Sequence, residues 1–390
     1  MSRPARILLV DDSVVIRGLL SRFIDAEPDL EVASTAADGR AGVQKAKALS
    51  PDLIVLDVEM PVMNGLEALR EIRVFDKKTP IIMFSTLTGQ GANVTLDALS
   101  AGASDYATKP STTSGAASAL EHVRGELVVK MRALLGRRNP HSTPARPERS
   151  SLSKNRALVP NHRERAAVPL HPNAKGGGAL RKSTAFGKQL RAVAIGSSTG
   201  GPVALEEFLC GISEPLSVPM FVVQHMPAKF TLALAERLDR RSSHRVVEVS
   251  RRMVAEPGSV YIAPGGRHMR VRKTGTSVEV EPFDGPPVNS CTPSVDPTFE
   301  SIAAAYGSES LVVMLTGMGA DGTVGTRQLA ELGCDVIAQD EETSVVWGMP
   351  GSVVENGLAT EVLPLTRIGP RVADLAHSRA ALAGARGGRT

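Results

Sequence analysis

The sequence predicts an α/β protein with two parallel-sheet domains joined by a basic tether, and three observations carry that prediction. Near-continuous apolar runs of four or five residues recur in both halves, as expected of strands buried on both faces. Helical patterns alternate with them, the order that builds a parallel sheet. Between the halves, residues 136–190 hold six prolines, a Gly176–Gly178 run and no sustained periodicity. The expected organisation is a doubly wound (βα)5 domain over 1–135, a disordered linker over 136–190, a second α/β domain over 191–375 and a flexible tail over 376–390.

Taken in order, Ile7–Val10, Leu53–Leu56 and Ile81–Phe84 are the apolar strands of the first half, with weaker ones near Glu31–Ser34 and Asp105–Thr108. Helical patterns over Val14–Ile24, Gly39–Leu49, Leu66–Val74, Ala92–Ala101 and Ala117–Leu134 complete five strand–helix units. In the second half, strands are expected at Ala192–Ile195, Met220–Val223, Ser259–Ile262 and Leu311–Leu315. Helices are expected at Val203–Leu209, Phe230–Leu238, Pro297–Tyr306 and Gly322–Leu332.

The 390 residues suffice for two or three domains, each with its own core. The net charge of +4 conceals a division: residues 136–190 carry twelve Lys or Arg against two acids, and the remainder of the chain is net −6. If flexible, such a tether spans roughly 40 Å and leaves the domains free to dock or part. Aromatic residues make up only 3% of the chain, which argues against base-stacking surfaces, and no specific nucleic-acid partner is expected. Three scattered cysteines fit reduced thiols, and no apolar run is long enough to cross a membrane, so a cytoplasmic protein is expected.

In the first half, Asp11 and Asp12 end the first strand and Asp57 the third, while Ser85 follows the fourth and Lys109 the fifth. The carboxyl ends of strands in an open α/β sheet share one crevice, so these residues converge. Three crowded carboxylates call for a cation, and an all-oxygen site suits Mg²⁺. Asp57 is then placed to attack a phosphoryl group, with Lys109 and Ser85 on its oxygens. Residues 1–135, with Asp57-Val-Glu-Met-Pro-Val-Met-Asn-Gly65, resemble a response-regulator receiver domain. The resemblance implies Asp57 as phosphoacceptor, Asp11 and Asp12 as further metal ligands, Ser85, Tyr106 and Lys109 as switch positions, and a histidine kinase as phosphodonor.

In the second half, Gly196-Ser-Ser-Thr-Gly200 lies between a strand and a helix. A Gly-x-Ser-x-Gly turn lifts a hydroxyl clear of the sheet, and the helix N-terminus behind it offers N–H groups to an oxyanion. The same kind of turn cradles phosphate. The absence of Gly-x-x-x-x-Gly-Lys-Ser/Thr and of Gly-x-Gly-x-x-Gly favours a nucleophile, Ser198. A serine needs a base, and the base an orienting group. Of eight histidines, His225 and His268 lie just past strands, and topology leaves both open. Asp321, in the Gly-rich turn after Leu311–Leu315, is the candidate orienter or else a helix cap.

Together with Gln224-His-Met-Pro227, Leu315-Thr-Gly-Met-Gly-Ala-Asp-Gly322 and Gln339–Pro350, these segments resemble the protein-glutamate methylesterases of bacterial chemotaxis, the CheB family. The resemblance implies Ser198 as nucleophile, His225 as base and Asp321 as its orienter, with the backbone N–H of Met318 and of His225 as oxyanion donors. It implies hydrolysis of glutamate methyl esters, and deamidation of glutamines, on the cytoplasmic helices of methylated chemoreceptors. Contact with the membrane would then run only through the receptors. It implies Mg²⁺ in the receiver domain and no cofactor in the esterase domain. Ser197 and Thr292 depart from the family's usual Ala and Arg. The rival expectations are a receiver with a ligand-binding output domain, a general serine esterase, and the same chemistry in a chemosensory pathway that does not control motility.

Overall fold

The computed structural model describes residues 3–109, 116–136, 179–184 and 188–387. The first half is a five-stranded parallel sheet in the order β2-β1-β3-β4-β5. Its strands are β1 (Ala5–Val10), β2 (Leu30–Ala36), β3 (Leu53–Asp57), β4 (Ile81–Ser85) and β5 (Asp105–Thr108). Helices α1 (Val14–Asp25), α2 (Gly39–Leu49), α3 (Gly65–Phe75), α4 (Gly89–Ser100) and α5 (Ala116–Gly136) alternate with them. Every residue of β3, β4 and β5 is buried, which is why β3 and β4 read as apolar runs relieved only at their ends, while β5 buries Asp105 and Thr108 around Tyr106 and Ala107. Helix starts are written locally: the Asp38 and Thr88 side chains accept from the third residue of α2 and α4, and Asn64 with Glu67 forms a reciprocal capping box on α3.

The second half is a seven-stranded parallel sheet in the order β15-β14-β13-β6-β7-β10-β8. Its central strands are β6 (Ala192–Ser197), β7 (Met220–Gln224), β10 (Ser259–Ile262) and β13 (Ser310–Met314). β8 (Arg245–Glu248), β14 (Asp335–Gln339) and β15 (Glu361–Leu363) complete it. The chain runs outward from β6 to β8 and then returns to lay β13 on the other side of β6. The crevice of this sheet therefore opens at the ends of β6 and β13, where strand order reverses. Helices α6 (Gly201–Cys210), α7 (Phe230–Arg241), α8 (Val295–Tyr306), α9 (Thr323–Glu331), α10 (Met349–Glu355) and α11 (Leu365–Gly387) surround it.

Several features differ from the sequence expectation. An antiparallel sheet of β9 (Met253–Val254), β11 (His268–Thr274) and β12 (Ser277–Phe283) leans on α8 and had no apolar run to reveal it. Helix α11 continues through Gly387, past the boundary expected at residue 375. Most of the expected linker lies outside the described residues, but 179–184 lie against the second half: Arg181 N–H donates to Ala359 O at 2.8 Å and its guanidinium to Cys334 O. Among the described residues no helix is long and apolar enough to cross a membrane.

The two halves pack together. One apolar cluster runs from Leu8, Ile54 and Leu96 through Tyr106 to Phe230, Leu234 and Leu205. Helix α4 lies against α6 and α7. At the rim, the Arg237 guanidinium reaches Asp97 Oδ1 at 2.6 Å and Ser100 Oγ at 2.8 Å.

Candidate functional site

The acidic crevice of the first half is assembled as its strand ends require. Oxygens of Asp11, Asp12 and Asp57 lie within 4.8 Å of one another. Lys109 Nζ bridges Asp11 Oδ2 at 2.9 Å and Asp57 Oδ2 at 2.7 Å. Burial pushes the Asp57 carboxyl up to about 6, against the pull of Lys109 and with the added repulsion of Asp11. Only hard oxygen donors are offered, three carboxylates meet with Lys109 as the cation paired to two of them, and the donor set fits Mg²⁺. The Ser85 hydroxyl donates toward Gly91 O at 3.3 Å in the first turn of α4.

Tyr106 belongs to the contact between the halves. Its ring stacks on Phe230 with centroids 4.9 Å apart and planes 9° apart, and Lys130 Nζ sits 4.7 Å above it. Beside it, Thr199 Oγ1 donates to Asp105 Oδ2 at 2.9 Å. Leu87 O accepts from Lys229 Nζ at 3.5 Å.

In the second half, the register pairs Ser197 with Gln224, so Ser198 and His225 emerge side by side from β6 and β7. Gly200 takes φ 77° at the start of α6, a conformation costly for any residue with a Cβ. A Cβ at Gly201 would collide with Gln224 Oε1. The turn therefore depends on its two glycines. Ser197 is fully buried, and its hydroxyl donates to Gln224 Oε1 at 2.7 Å. Gln224 Nε2 donates in turn to Ser198 O at 2.9 Å. This glutamine binds the turn to β7, a role without a signature in the sequence.

His225 Nε2 lies 2.7 Å from Asp321 Oδ2. Burial raises the Asp321 pKa, yet His225 and the donors around it hold the carboxyl down at about 2, so the shared proton rests on Nε2. Asp321 is further fixed by Val295 N at 2.7 Å, Ser294 Oγ at 2.8 Å and Asn289 Nδ2 at 2.8 Å. Burial lowers the His225 pKa, but Asp321 and the Cys291 sulfur, 3.6 Å from Nδ1, raise it further, to about 9. Among the described residues no hydrogen bond joins Ser198 Oγ to His225. The lone-pair nitrogen, Nδ1, faces Cys291.

His268 is engaged elsewhere: Nε2 meets Pro286 O at 3.0 Å and Nδ1 accepts from Ser294 N at 3.2 Å. Both ring nitrogens are spent on backbone. Asp321 is the residue before the Gly322 cap of α9, and its carboxylate accepts from Gly322 N at 3.0 Å as well as from the imidazole. One expectation is corrected. The His225 backbone N–H donates to Ser197 O at 3.3 Å, so it is not free to serve an oxyanion. Met318 is half-buried in the loop after β13, and its N–H is not among the hydrogen bonds of the described residues.

Comparison with known proteins agrees on both halves. The family model described as CheB methylesterase matches residues 193–372, and that of the response regulator receiver domain matches residues 7–121. A Nocardioides protein named protein-glutamate methylesterase/protein-glutamine glutaminase is 46% identical over 367 residues, 94% of each chain. A Rhodopseudomonas palustris protein of the same name is 43% identical over 95% of this chain and 94% of its own. The crystal structure of the Thermotoga maritima CheB methylesterase catalytic domain is 41% identical with TM-score 0.47, covering 48% of this chain and 99% of that one. The response regulator domain of Thermotoga maritima CheB is 42% identical with TM-score 0.32, covering 34% and 98%.

Proposed function

The chain belongs to the protein-glutamate methylesterase/protein-glutamine glutaminase family, with a receiver domain followed by a CheB methylesterase domain, and we propose that it is a phosphorylation-activated serine hydrolase that demethylates chemoreceptors. The observation that carries this reading is the His225–Asp321 pair, 2.7 Å apart beside the strand end that bears Ser198.

Ser198 Oγ attacks the carbonyl carbon of a γ-glutamyl methyl ester while His225 takes the hydroxyl proton. Asp321 holds the imidazole and stabilises its charged form. The oxyanion is received by the Met318 N–H; a donor of this kind contributes about a hundred- to a thousandfold in rate. The protonated His225 returns its proton to the departing methoxide, and methanol leaves. Water then attacks the acyl-serine with His225 again as base, freeing the glutamate and restoring the hydroxyl. With a glutamine side chain the leaving group is ammonia. For Ser198 to meet the base, the His225 ring must turn its Nδ1 edge from Cys291 or exchange its ring nitrogens on Asp321, a movement of one side chain.

In the docked form the receiver lies over this crevice, with Asp105 on Thr199 and Tyr106 on Phe230. Asp11, Asp12 and Asp57 are the residues that would hold Mg²⁺, which supplies charge neutralisation for an incoming phosphoryl group. A histidine kinase is the phosphodonor. Phosphorylation of Asp57 disturbs Lys109 and, through Tyr106, the stacked contact, so the domains part and the crevice opens to a receptor helix. A domain contact worth a few kcal/mol is enough to hold most molecules closed. The protein works in the cytoplasm and meets the membrane only through receptors.

The test is methanol release from methylated chemoreceptor membranes, with and without a small-molecule phosphodonor and Mg²⁺. Release that rises with phosphodonor, vanishes in Ser198→Ala and is not stimulated in Asp57→Asn is expected. No release from the folded protein under either condition would overturn the reading.

A further inference from the structure

Beyond Ser198, His225 and Asp321, the site contains a second buried carboxylate, and one side chain stands between the two. Asp296, in the first turn of α8, and Asp321 are only 5% and 4% exposed. Asn289 Nδ2 donates to Asp296 Oδ2 at 2.9 Å and to Asp321 Oδ1 at 2.8 Å. A primary amide nitrogen has two hydrogens, so one group serves both anions. Gly325 N holds the other Asp296 oxygen at 2.8 Å.

The backbone that delivers Asn289 is unusual. Val288 and Cys291 exchange N–H···O bonds of 3.1 and 2.9 Å, closing a two-residue turn. Its central residues, Asn289 and Ser290, have φ of 52° and 63°, both left-handed. Such a turn favours Asn or Gly at its first central position and tolerates Ser poorly at its second. The outer side of the turn is exposed to solvent, while the Asn289 amide points inward. The same turn sets Cys291 Sγ 3.6 Å from the His225 ring. Backbone held in this region without glycine is a reason to look for function.

We infer that Asn289 is a positioning residue for the hydrolysis, acting through Asp321 on His225, an inference that rests on the catalytic reading above. Its amide fixes Oδ1 of Asp321, so that Oδ2 stays aimed at Nε2. It also stands between two buried carboxylates that would otherwise repel. The charges bear this out: burial, reinforced by the Asp321 charge, pushes the Asp296 carboxyl up to about 6. An aspartate in place of Asn289 would put a third carboxyl where a donor is needed. Ser294 Oγ and backbone donors hold Asp321 too, among them the Asp296 N–H at 3.4 Å, but Asn289 is the side chain that donates to both carboxylates.

The decisive variant is Asn289→Gly, because glycine accepts the left-handed backbone and removes only the amide. The assay is phosphodonor-stimulated methanol release by the full chain, with kcat and KM separated, in the wild-type and Asp321→Ala backgrounds. In the wild-type background kcat should fall roughly ten- to a hundredfold with KM within about twofold, the loss expected of a hydrogen bond to a charged group. In the Asp321→Ala background the same substitution should cost less than about twofold. Asn289→Asp should behave as Asn289→Gly does. Equal losses in both backgrounds, or an undiminished kcat beside a crippled Asp321→Ala enzyme, would overturn the inference alone. An undiminished Asp321→Ala enzyme would instead overturn the catalytic reading on which it rests.

Discussion

Thr199 Oγ1 donates to Asp105 Oδ2 at 2.9 Å, joining the residue after Ser198 to the residue before Tyr106. The bond is buried on both sides, and Lys130 Nζ lies 3.6 Å from the same Asp105 oxygen. The turn after β6 and the start of β5 thus share one buried polar contact beside an apolar seam. A displacement of β5 would move the hydrogen-bond partner of the residue next to the serine.

Tyr106→Ala should therefore raise methanol release in the absence of phosphodonor. The variant loses the 4.9 Å stack on Phe230 and the burial of a ring that is 4% exposed. An aromatic pair contributes about 0.5–1.5 kcal/mol beyond its area, so a shift toward the open form of about tenfold is expected. Unchanged unstimulated release would show that the seam does not restrain the enzyme.

Ser198→Ala should abolish release, by at least about a thousandfold, while Ser197→Ala should stay within a few-fold of the parent. The two hydroxyls are neighbours, but that of Ser197 is buried and committed to Gln224 Oε1 at 2.7 Å. Ser197→Ala strands that acceptor and should destabilise the domain by about 1–3 kcal/mol, visible as a lowered Tm. Release that survives Ser198→Ala and is lost in Ser197→Ala would reverse the assignment.

Much of this fold was legible because parallel strands buried on both faces must be apolar throughout. β3, β4, β6, β7, β10 and β13 all announce themselves in that way. The antiparallel sheet did not, since Arg270 pairs with Glu281 and Arg272 with Glu279 across its strands and the pattern reads as polar. The strand ends that bring Asp11, Asp57 and Lys109 together follow from topology. Choosing between His225 and His268 does not: it depends on the Pro286 carbonyl and the Ser294 amide, which occupy the His268 ring from distant segments. The role of Gln224, and Asn289 altogether, were invisible for the same reason, because their partners are brought to them only by the folded chain.

His244 should make the second domain acid-sensitive. It is 2% exposed, its Nε2 accepts from Leu216 N at 3.2 Å, and burial lowers its pKa below the ordinary 6.5. A histidine whose folded pKa is depressed costs nothing while both states are neutral. Its penalty grows as the pH falls below the unfolded pKa, where only the unfolded chain readily takes the proton. Between pH 7 and 5 the parent's Tm should fall more steeply than that of His244→Gln. Parallel curves would exclude this histidine as a source of acid lability.

The pH dependence of hydrolysis should follow His225. Only the neutral ring accepts the serine proton, and burial, which favours that form, is outweighed by Asp321 and Cys291, which together hold the pKa at about 9. At pH values below this the neutral fraction falls about tenfold per unit, so kcat/KM should climb with pH through neutrality and level off near 9. Cys291 supports the protonated ring from 3.6 Å. Cys291→Ala removes that support while Asp321 remains, so the limb should move to lower pH and the rate near pH 7 should rise. A limb that stays in place in Cys291→Ala would mean that the thiol exerts no hold on the base, and that burial and Asp321 set its proton affinity.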